Sequence, residues 1–421
     1  MQLPLNTEEP QVMHIDLNSC FATVEQQARP MLRGRPVGVT NRRVSEAKYA
    51  CVVAASIEAK ALGVKVGMRA DEARRLAPDM VVLETDPPKY HYAYQKLVNI
   101  MKSYSPNVTM KSIDEGVIDF HGTRRHINDR PLTDIGYEIK RRLKEDVGCW
   151  MRCNVGIAPN RFLAKLAAGL HKPDGLDVIT HKNLRAVLAG LELTDLHGIA
   201  QRNQARLNIA GIFTPLEFLD APSDVLRRQV FHSICGEDWY QRLRGHEVDA
   251  TVFDTKTIGR QYVLENMRLD EPTLLSRLAY LCETTGMKLR HKGFCARGVM
   301  VYARYAGGDY WYERQMFKTS FFSNAEVHRR ATLLFNKRPR HDYVREIGVT
   351  CYQLEPSSQN QVSLLEEVNK EVWLTEAVDQ INNQYGEFTL TFASSHPSRR
   401  VVRQKIPFGT TRYFELLCRS A

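Results

Sequence analysis

The sequence lacks the features that mark exported, membrane-embedded and disulfide-linked proteins. Nowhere do about 18 apolar residues run together, and the opening MQLPLNTEEPQ has no apolar stretch after a basic start, so we expect neither a membrane segment nor an export signal. The nine cysteines are odd in number and have no paired ligand spacing, which argues against a disulfide framework or a zinc site. We therefore expect a cytoplasmic protein with reduced thiols.

Length and charge indicate a multidomain protein with an anionic partner. A chain of 421 residues is long enough for three or four domains, each with its own core. The 58 Lys and Arg against 48 Asp and Glu give a net charge of +10 and a pI near 9.1. This balance favours nucleic acid as the partner, with a membrane surface as the alternative.

Most of the positive excess lies between residues 285 and 340, where twelve Lys or Arg accompany three acids. Clustered positive charge of this kind predicts a surface that follows DNA phosphates, and a solvated basic face is the alternative. The candidate contacts are Arg297, Arg304, Arg329 and Arg330. The interleaved aromatics Tyr302, Tyr305, Tyr310, Trp311 and Tyr312 either contact a nucleic acid or fill the sheet.

The apolar periodicity divides the chain into three kinds of structure. Strand and helix patterns alternate over about residues 12–180, which predicts a mixed α/β layer. Residues 183–245 are mostly short helical patterns. Residues 256–355 follow the order βαββαβ of the split ferredoxin-like plan, which can expose one face of its sheet. A polar joint then leads to a C-terminal tail.

Three acids stand out against this pattern. Asp16 ends the apolar strand that begins at Val12, directly before a helical pattern, and the adjacent Asp114 and Glu115 lie in the bend of a predicted hairpin. Like charges repel unless a cation joins them, and Mg²⁺ is held by a few carboxylates together with substrate phosphates. The trio therefore suits phosphoryl transfer, whereas the Asp-Glu pair alone is also typical of a solvated turn.

Five segments, in this order, closely resemble the Y-family DNA polymerases, the translesion enzymes: HIDLNSCFATVE, CVVAASIEAKALGVKVGM, SIDEGVIDF, GIAPNRFLAKLAAGLHKPDG and LHGIAQRNQARLNIAGIFT. The resemblance implies an α/β and α+β multidomain fold shaped as a right hand, followed by a little finger. It assigns the palm to 1–24 and 86–180, the fingers to 25–85, the thumb to 181–248, the little finger to 249–356 and a tail to 357–421.

The resemblance also implies an active site for low-fidelity, template-directed DNA synthesis by a monomer. Asp16, Asp114 and Glu115 would be catalytic and, with the Leu17 carbonyl, would hold two Mg²⁺ ions. The partners would be primer-template DNA and a deoxynucleoside triphosphate (dNTP). A noncatalytic DNA- and clamp-binding scaffold and a nucleotide cyclase with a similar palm are the alternatives, and the three acids argue against the scaffold.

Further residues acquire roles through the same resemblance. Phe21 matches the steric gate that excludes a 2′-hydroxyl, and Lys60 and Lys172 match cations that contact the triphosphate. Gly198 lies in a helix-hairpin-helix turn that meets a DNA phosphate. The family usually has a second glycine where this chain has Ala200, which fits only if its φ stays negative.

Two features leave the subfamily and a further partner open. Ile57, Lys60 and the uncharged Asn18 resemble polymerase V catalytic subunits more than polymerase IV, and Asn18 is not counted as a metal ligand. QVSLLEE is similar to the sliding-clamp-binding peptide of bacterial polymerases, so Gln361, Leu364 and Leu365 are expected to bind a clamp, with an amphipathic helix start as the alternative.

Overall fold

The described part of the chain forms two compact units, the first ending at Thr251 and the second following it. The computed structural model describes residues 3–41, 50–251, 254–264, 266–357, 366–399 and 401–402. Each unit buries cores of its own, as expected for a chain of this length. Among the described helices, none is long and apolar enough to cross a membrane.

A five-stranded sheet forms the centre of the first unit. In spatial order its strands are β5 (Val108–Met110), β6 (Glu115–Asp119), β1 (Val12–Leu17), β7 (Cys153–Ala158) and β8 (Leu176–Val178). The predicted apolar strand is therefore the central one, and it pairs antiparallel with both neighbours. The hairpin predicted around Ser112 is formed by β5 and β6.

Helices cover both faces of this sheet: α1 (Cys20–Ala28), α4 (Pro87–Lys102), α5 (Leu132–Asp146) and α6 (Arg161–Leu170). Met13 and Ile15 share a core with α1, α4 and α5, whereas Val12 and Val117 pack with α6. Helix α6 approaches the sheet closely, because a Cβ on Gly156 would lie 2.0 Å from the Ala164 carbonyl oxygen. Alternate residues of β1 and β6 therefore face α6.

A smaller sheet follows the first helix. Its strands are β3 (Val52–Ala55), β2 (Val37–Thr40) and β4 (Val81–Glu84), with β2 antiparallel to β3 and parallel to β4. Helices α2 (Ile57–Ala61) and α3 (Ala70–Leu76) accompany it. The Ser56 hydroxyl accepts a hydrogen bond from the Ala59 amide and so caps α2. The small apolar residues of this stretch form a separate core.

The predicted helical stretch consists of α7 (Leu184–Ala189), α8 (Gln201–Ile209), α9 (Pro215–Asp220), α10 (Ser223–Val225) and α11 (Cys235–Leu243). Trp239 of α11 stands at the centre of its core, against the rings of Phe162, Phe218 and Phe231. Because Phe162 belongs to α6, this core is continuous with the face of the central sheet that α6 covers.

The second unit has the predicted order βαββαβ: β9 (Thr257–Val263), α12 (Glu271–His291), β10 (Phe294–Tyr305), β11 (Tyr310–Phe321), α13 (Asn324–Phe335) and β12 (Val344–Pro356). The spatial order β11-β10-β12-β9 is antiparallel throughout. Each βαβ connection is split, because β12 lies between β9 and β10 while β10 lies between β11 and β12. The helices pack against each other over one face of the sheet, and no helix among the described residues covers the other, open face.

The C-terminal tail adds α14 (Glu366–Tyr385) and α15 (His396–Arg399) to the second unit. Arg290 of α12 forms a two-pronged ion pair with Asp379, with N–O distances of 2.6 and 2.7 Å. The buried Glu283 accepts hydrogen bonds from the hydroxyls of Thr391 and Ser395. The sequence suggested no role for this tail, and the structure shows that its described part completes the surroundings of α12.

Candidate active site

Three acids that are far apart in sequence meet at one end of the central sheet. Asp16 lies opposite Glu115 in the pairing of β1 with β6, and the Leu17 amide donates to the Asp114 carbonyl oxygen over 2.8 Å. Since side chains alternate along a strand, Asp16 and Glu115 belong to the face that α6 covers. The structure thus brings together the acids that the sequence singled out.

Asp114 lies in a tight bend before β6. The amides of Lys111 and Ser112 both donate to the Glu115 carbonyl oxygen, and the Ser112 hydroxyl donates to the Asp114 carboxylate. Burial raises the pKa of Asp114; the Ser112 hydrogen bond opposes this rise, and the negative charges of Asp16 and Glu115 add to it. The repulsion by Asp16 and Glu115 therefore contributes to the raised pKa of Asp114.

Glu115 is held by two partners that the sequence analysis did not assign to it. Lys165 of α6 donates to both carboxylate oxygens over 3.0 and 2.8 Å, and the Nε2 of the buried His14 lies 3.0 Å from one of them. Burial alone would raise the pKa of Glu115, but these hydrogen bonds and charges lower it to about 2. The available signal was strand alternation, which places His14 on the same face as Asp16.

Asp16 is paired with Lys172, which lies in the loop after α6. The lysine side chain is 45% exposed, so this pair is open to solvent and to an incoming ligand. Asp16 thus has a cationic partner, as Glu115 has in Lys165, while Asp114 is bound by a hydroxyl.

The carboxylates fit a hard divalent cation in chemistry but are not arranged around one. Within the described ranges, no group of three or more His, Cys, Asp or Glu side chains is placed to hold a metal ion. This differs from the expected cluster because Glu115 is turned to Lys165 and His14, and Asp16 to Lys172. Burial, and to a lesser extent the charges of Asp16 and Glu115, raise the pKa of Asp114, and a divalent cation bound to these oxygen donors would offset both effects.

A cavity of about 530 Å³ opens beside the acids within the first unit. Asp16, Leu17 and Asp114 line it, together with Phe21, Ile57, Lys60, Lys172 and other residues from α1, α2 and the loop after α6. Glu115 is not part of the lining. Asn18 uses its side chain for structure, because its amide group donates to Asn154 and its oxygen accepts from the Asp174 amide, each over 2.8 Å.

Phe21 forms one wall of the cavity at the start of α1. Its ring is 4% exposed and stacks on the Tyr90 ring of α4, with 4.3 Å between centroids and 15° between planes. The part of the wall that Phe21 forms is therefore backed by a second aromatic ring.

Lys60 and Lys172 line the same cavity. Desolvation at the cavity wall and the positive charge of Lys172 lower the pKa of Lys60, while the charges of Asp16 and Asp114 oppose this shift. Two like charges held near one opening favour an anionic ligand between them.

The predicted helix-hairpin-helix turn precedes α8. Gly198 has a φ of +99°, and a Cβ there would lie 3.2 Å from the Trp239 ring, so a glycine is required. Ala200 has a φ of −101°, so the negative φ that an alanine requires at this position is present.

The arginines singled out in the second unit do not form one continuous surface. Arg304 lies on the open face of the sheet, directly across from Tyr310, whereas Arg329 lies on α13, and both are exposed. Arg297 is half-buried and lies 3.6 Å from Glu355. Among the aromatics, Tyr305 is buried in the core, while Tyr310 and Tyr312 are exposed on the open face.

The expectation that Arg330 contacts DNA is corrected by the structure. Its side chain is 7% exposed, pairs with Glu326 over 2.7 Å and lies 4.2 Å over the rings of Phe317 and Phe321. The guanidinium is used inside the unit and is not available at its surface. The clamp residues Gln361, Leu364 and Leu365 lie outside the described residues.

Comparison with known proteins supplies the family. Residues 15–169 match the impB/mucB/samB family, and residues 255–364 match its C-terminal domain. The chain is 32% identical to DNA polymerase IV of Moorella thermoacetica over 383 residues, which cover 89% of this chain and 94% of that protein. The chain belongs to the Y family of translesion DNA polymerases.

A second relative agrees with this membership, and a solved structure shares the fold. DNA polymerase IV of Pelotomaculum thermopropionicum is 29% identical over 94% of this chain and 97% of its own length. A Y-family polymerase chimera of Dbh and Dpo4 superimposes with a TM-score of 0.69 at 24% identity, over 82% of this chain and 98% of that one. The predicted fold class is thereby confirmed, and the noncatalytic scaffold is not favoured. Y-family polymerases are nucleotidyltransferases that generally use divalent metal ions.

Glu115 of this polymerase should make the free energy of unfolding depend on pH. Its folded pKa of about 2 lies below the ordinary value of 4.5, so its contribution to the free energy of unfolding is present above pH 4.5 and is lost as the pH falls toward 2. Lys165→Met should reduce this loss by about 1–2 kcal/mol, because the pKa returns toward its ordinary value. Urea unfolding at a series of pH values measures this loss in the variant and in the unmodified protein.

The control is Lys182→Met, which removes the same charge from an exposed position. This variant should keep the pH dependence of the unmodified protein. Equal pH dependence in the Lys165 variant and the unmodified protein would contradict the proposed effect of Lys165 on Glu115.

Proposed function

We propose that the cavity binds a dNTP opposite a DNA template and that the adjacent acids support nucleotidyl transfer to the primer 3′-hydroxyl, including opposite damaged bases. The observation that carries this proposal is the meeting of Asp16, Asp114 and Glu115 beside a cavity that also contains Phe21, Lys60 and Lys172. Its volume of about 530 Å³ lies in the range of small-molecule sites.

Asp16, Asp114, Glu115 and the Leu17 carbonyl would hold two Mg²⁺ ions, because these are the hard oxygen donors that this cation prefers. When bound, such a pair supplies a lowered pKa for the attacking hydroxyl and charge neutralisation for the departing pyrophosphate. For the residues to serve in this way, Glu115 must exchange Lys165 and His14 for the cation, and Asp16 must release Lys172.

The cations of the cavity would then bind the triphosphate. Lys172, released from Asp16, and Lys60 on the neighbouring wall both provide ammonium groups for phosphate oxygens. The lowered pKa of Lys60 fits this role, because an anionic ligand removes the repulsion by Lys172 that contributes to the shift.

The remaining parts of the chain would hold the DNA. We assign residues 1–24 and 86–180 to the palm, 25–85 to the fingers, 181–248 to the thumb and 249–356 to the little finger, in a monomer. The turn at Gly198 would present backbone amides to a phosphate, and Arg304 with Arg297 would bind the DNA backbone. Arg329 lies on α13, away from the open sheet face, so it would contact only a part of the DNA that extends beyond this face. The exposed Tyr310 and Tyr312 beside Arg304 support a DNA-facing role for the open sheet face.

A sliding clamp is the proposed additional partner, on the sequence QVSLLEE alone. Tethering would raise the local concentration of the polymerase at its template. We expect Gln361→Ala combined with Leu364→Ala to abolish the stimulation of primer extension by a bacterial clamp while leaving clamp-free extension unchanged. Equal stimulation of the variant and the unmodified protein would remove the clamp from the proposal.

Replacing Asp114 and Glu115 by Ala should reduce primer extension by about a thousand-fold or more, because lost metal ligands cost several kcal/mol of transition-state stabilisation. DNA binding, measured by fluorescence anisotropy, should remain largely intact. The matched control is the pair Glu145→Ala and Asp146→Ala, which removes the same two charges from exposed positions on α5. Retained extension by the active-site variant would refute the assignment of the acids.

Phe21→Ala should admit ribonucleotides, because it removes the ring that we propose as the steric gate. The ratio of kcat/KM for a dNTP to that for the matching ribonucleotide should fall by about tenfold or more. Single-nucleotide insertion kinetics measure this ratio. Phe21→Tyr keeps an aromatic wall and serves as the control, and unchanged sugar discrimination in the alanine variant would rule out the gate.

A further inference from the structure

The wall that Phe21 forms has a second layer. Tyr90 of α4 is fully buried, does not line the cavity and stacks directly behind the Phe21 ring at 4.3 Å. A ring can exclude a 2′-hydroxyl only if it cannot move away from it, and the close-packed ring behind Phe21 occupies the space into which it would retreat.

Tyr90 is itself held by a buried carboxylate. Its hydroxyl donates to Glu25 Oε1 over 2.9 Å, and Glu25 is 0% exposed. Phe21 and Glu25 are four residues apart on α1 and so lie on the same side of that helix. Tyr90 therefore contacts α1 at two points, through its ring at Phe21 and through its hydroxyl at Glu25.

The charge of Glu25 is balanced by two basic side chains. Arg29 Nη1 lies 2.7 Å and Lys89 Nζ lies 3.2 Å from Oε2 of Glu25. A buried carboxylate is costly unless it is paired, and here the pairing leaves Oε1 to fix the tyrosine. Burial and the charge of Glu25 raise the pKa of Tyr90, so its hydroxyl stays protonated and remains a donor.

We propose that Tyr90, held in place by Glu25, is a positioning residue for sugar selection: it backs the Phe21 ring and keeps that ring rigid against a ribose. This inference rests on the proposed function of Phe21 as the gate. It adds two residues outside the cavity to the determinants of specificity. Loosening either contact should relax discrimination against ribonucleotides more than it slows insertion of deoxynucleotides.

The test compares kcat/KM for a dNTP and the matching ribonucleotide in the full-length protein. Tyr90→Leu removes the backing ring and should lower the discrimination ratio by about tenfold. Tyr90→Phe and Glu25→Gln keep the stack but weaken its anchor, and should lower the ratio by about two- to fivefold. Thermal unfolding of each variant shows whether the protein still folds.

The matched control is the pair formed by Tyr104 and Glu138 in the same unit. The Tyr104 hydroxyl donates to Glu138 over 2.9 Å, which repeats the hydrogen bond of Tyr90 to Glu25 at a carboxylate that lies on α5 and is 26% exposed. Tyr104→Phe and Glu138→Gln should leave the discrimination ratio unchanged. If they lower it as much as the Tyr90 and Glu25 variants, the effect is one of general stability and the inference is overturned.

The variant Phe21→Ala distinguishes the proposed gate role of Phe21 from the proposed backing role of Tyr90. If it loses discrimination while Tyr90→Leu and Tyr90→Phe retain it, the backing role is wrong and the gate stands. If Phe21→Ala itself keeps full discrimination, the gate fails and the inference with it. If Tyr90→Leu does not fold, Tyr90→Phe and Glu25→Gln decide, and unchanged ratios in both overturn the inference.

Discussion

The pairing of β1 with β6 places two acids directly opposite each other, and the rest of the site depends on this constraint. Like charges facing each other across antiparallel strands destabilise a sheet. The hydrogen bonds along Val12–Leu17 and Glu115–Asp119 nevertheless fix Asp16 against Glu115. Positive charge from outside the two strands must compensate the repulsion between these acids. Helix α6 supplies Lys165, and the loop that follows it supplies Lys172.

The arrangement of these cations indicates how the site can change state. Lys165 comes from a helix packed firmly on the sheet and binds both oxygens of Glu115, whereas Lys172 lies in a loop and is nearly half exposed. A divalent cation bound by the acids would take over the role of both lysines. In the proposed function, Lys172 would then be released to bind the triphosphate, so the same positive charge would serve the acid and the nucleotide in turn.

The chemistry of the acids could be predicted from the sequence, while the contacts that hold them could not. Asp16 follows a clear strand pattern, and Asp114 and Glu115 were predicted in a hairpin bend, where the structure has Asp114 in the bend and Glu115 at the start of β6. Their convergence therefore followed from local patterns and the family resemblance. The partnership of Glu115 with Lys165 depends on how close α6 comes to β7, which Gly156 permits but does not specify. The prediction that Arg330 contacts DNA was wrong for a related reason. Helical spacing alone does not tell whether a guanidinium faces solvent or, as here, the rings of Phe317 and Phe321.

Glu115 and Glu25 show two uses of a paired carboxylate in one unit. Glu115 is 18% exposed and its partner Lys165 is 28% exposed, so this pair is accessible to a ligand. Glu25 is fully buried, with Arg29, Lys89 and Tyr90 around it, and is therefore closed to solvent. An ion pair that a ligand can reach, such as that of Glu115, is suited to a reaction. A buried ion pair, such as that of Glu25, is suited to holding neighbouring side chains in place. In the proposed roles, the reaction and the choice of sugar would both depend on a paired carboxylate, and the two carboxylates differ in their access to solvent.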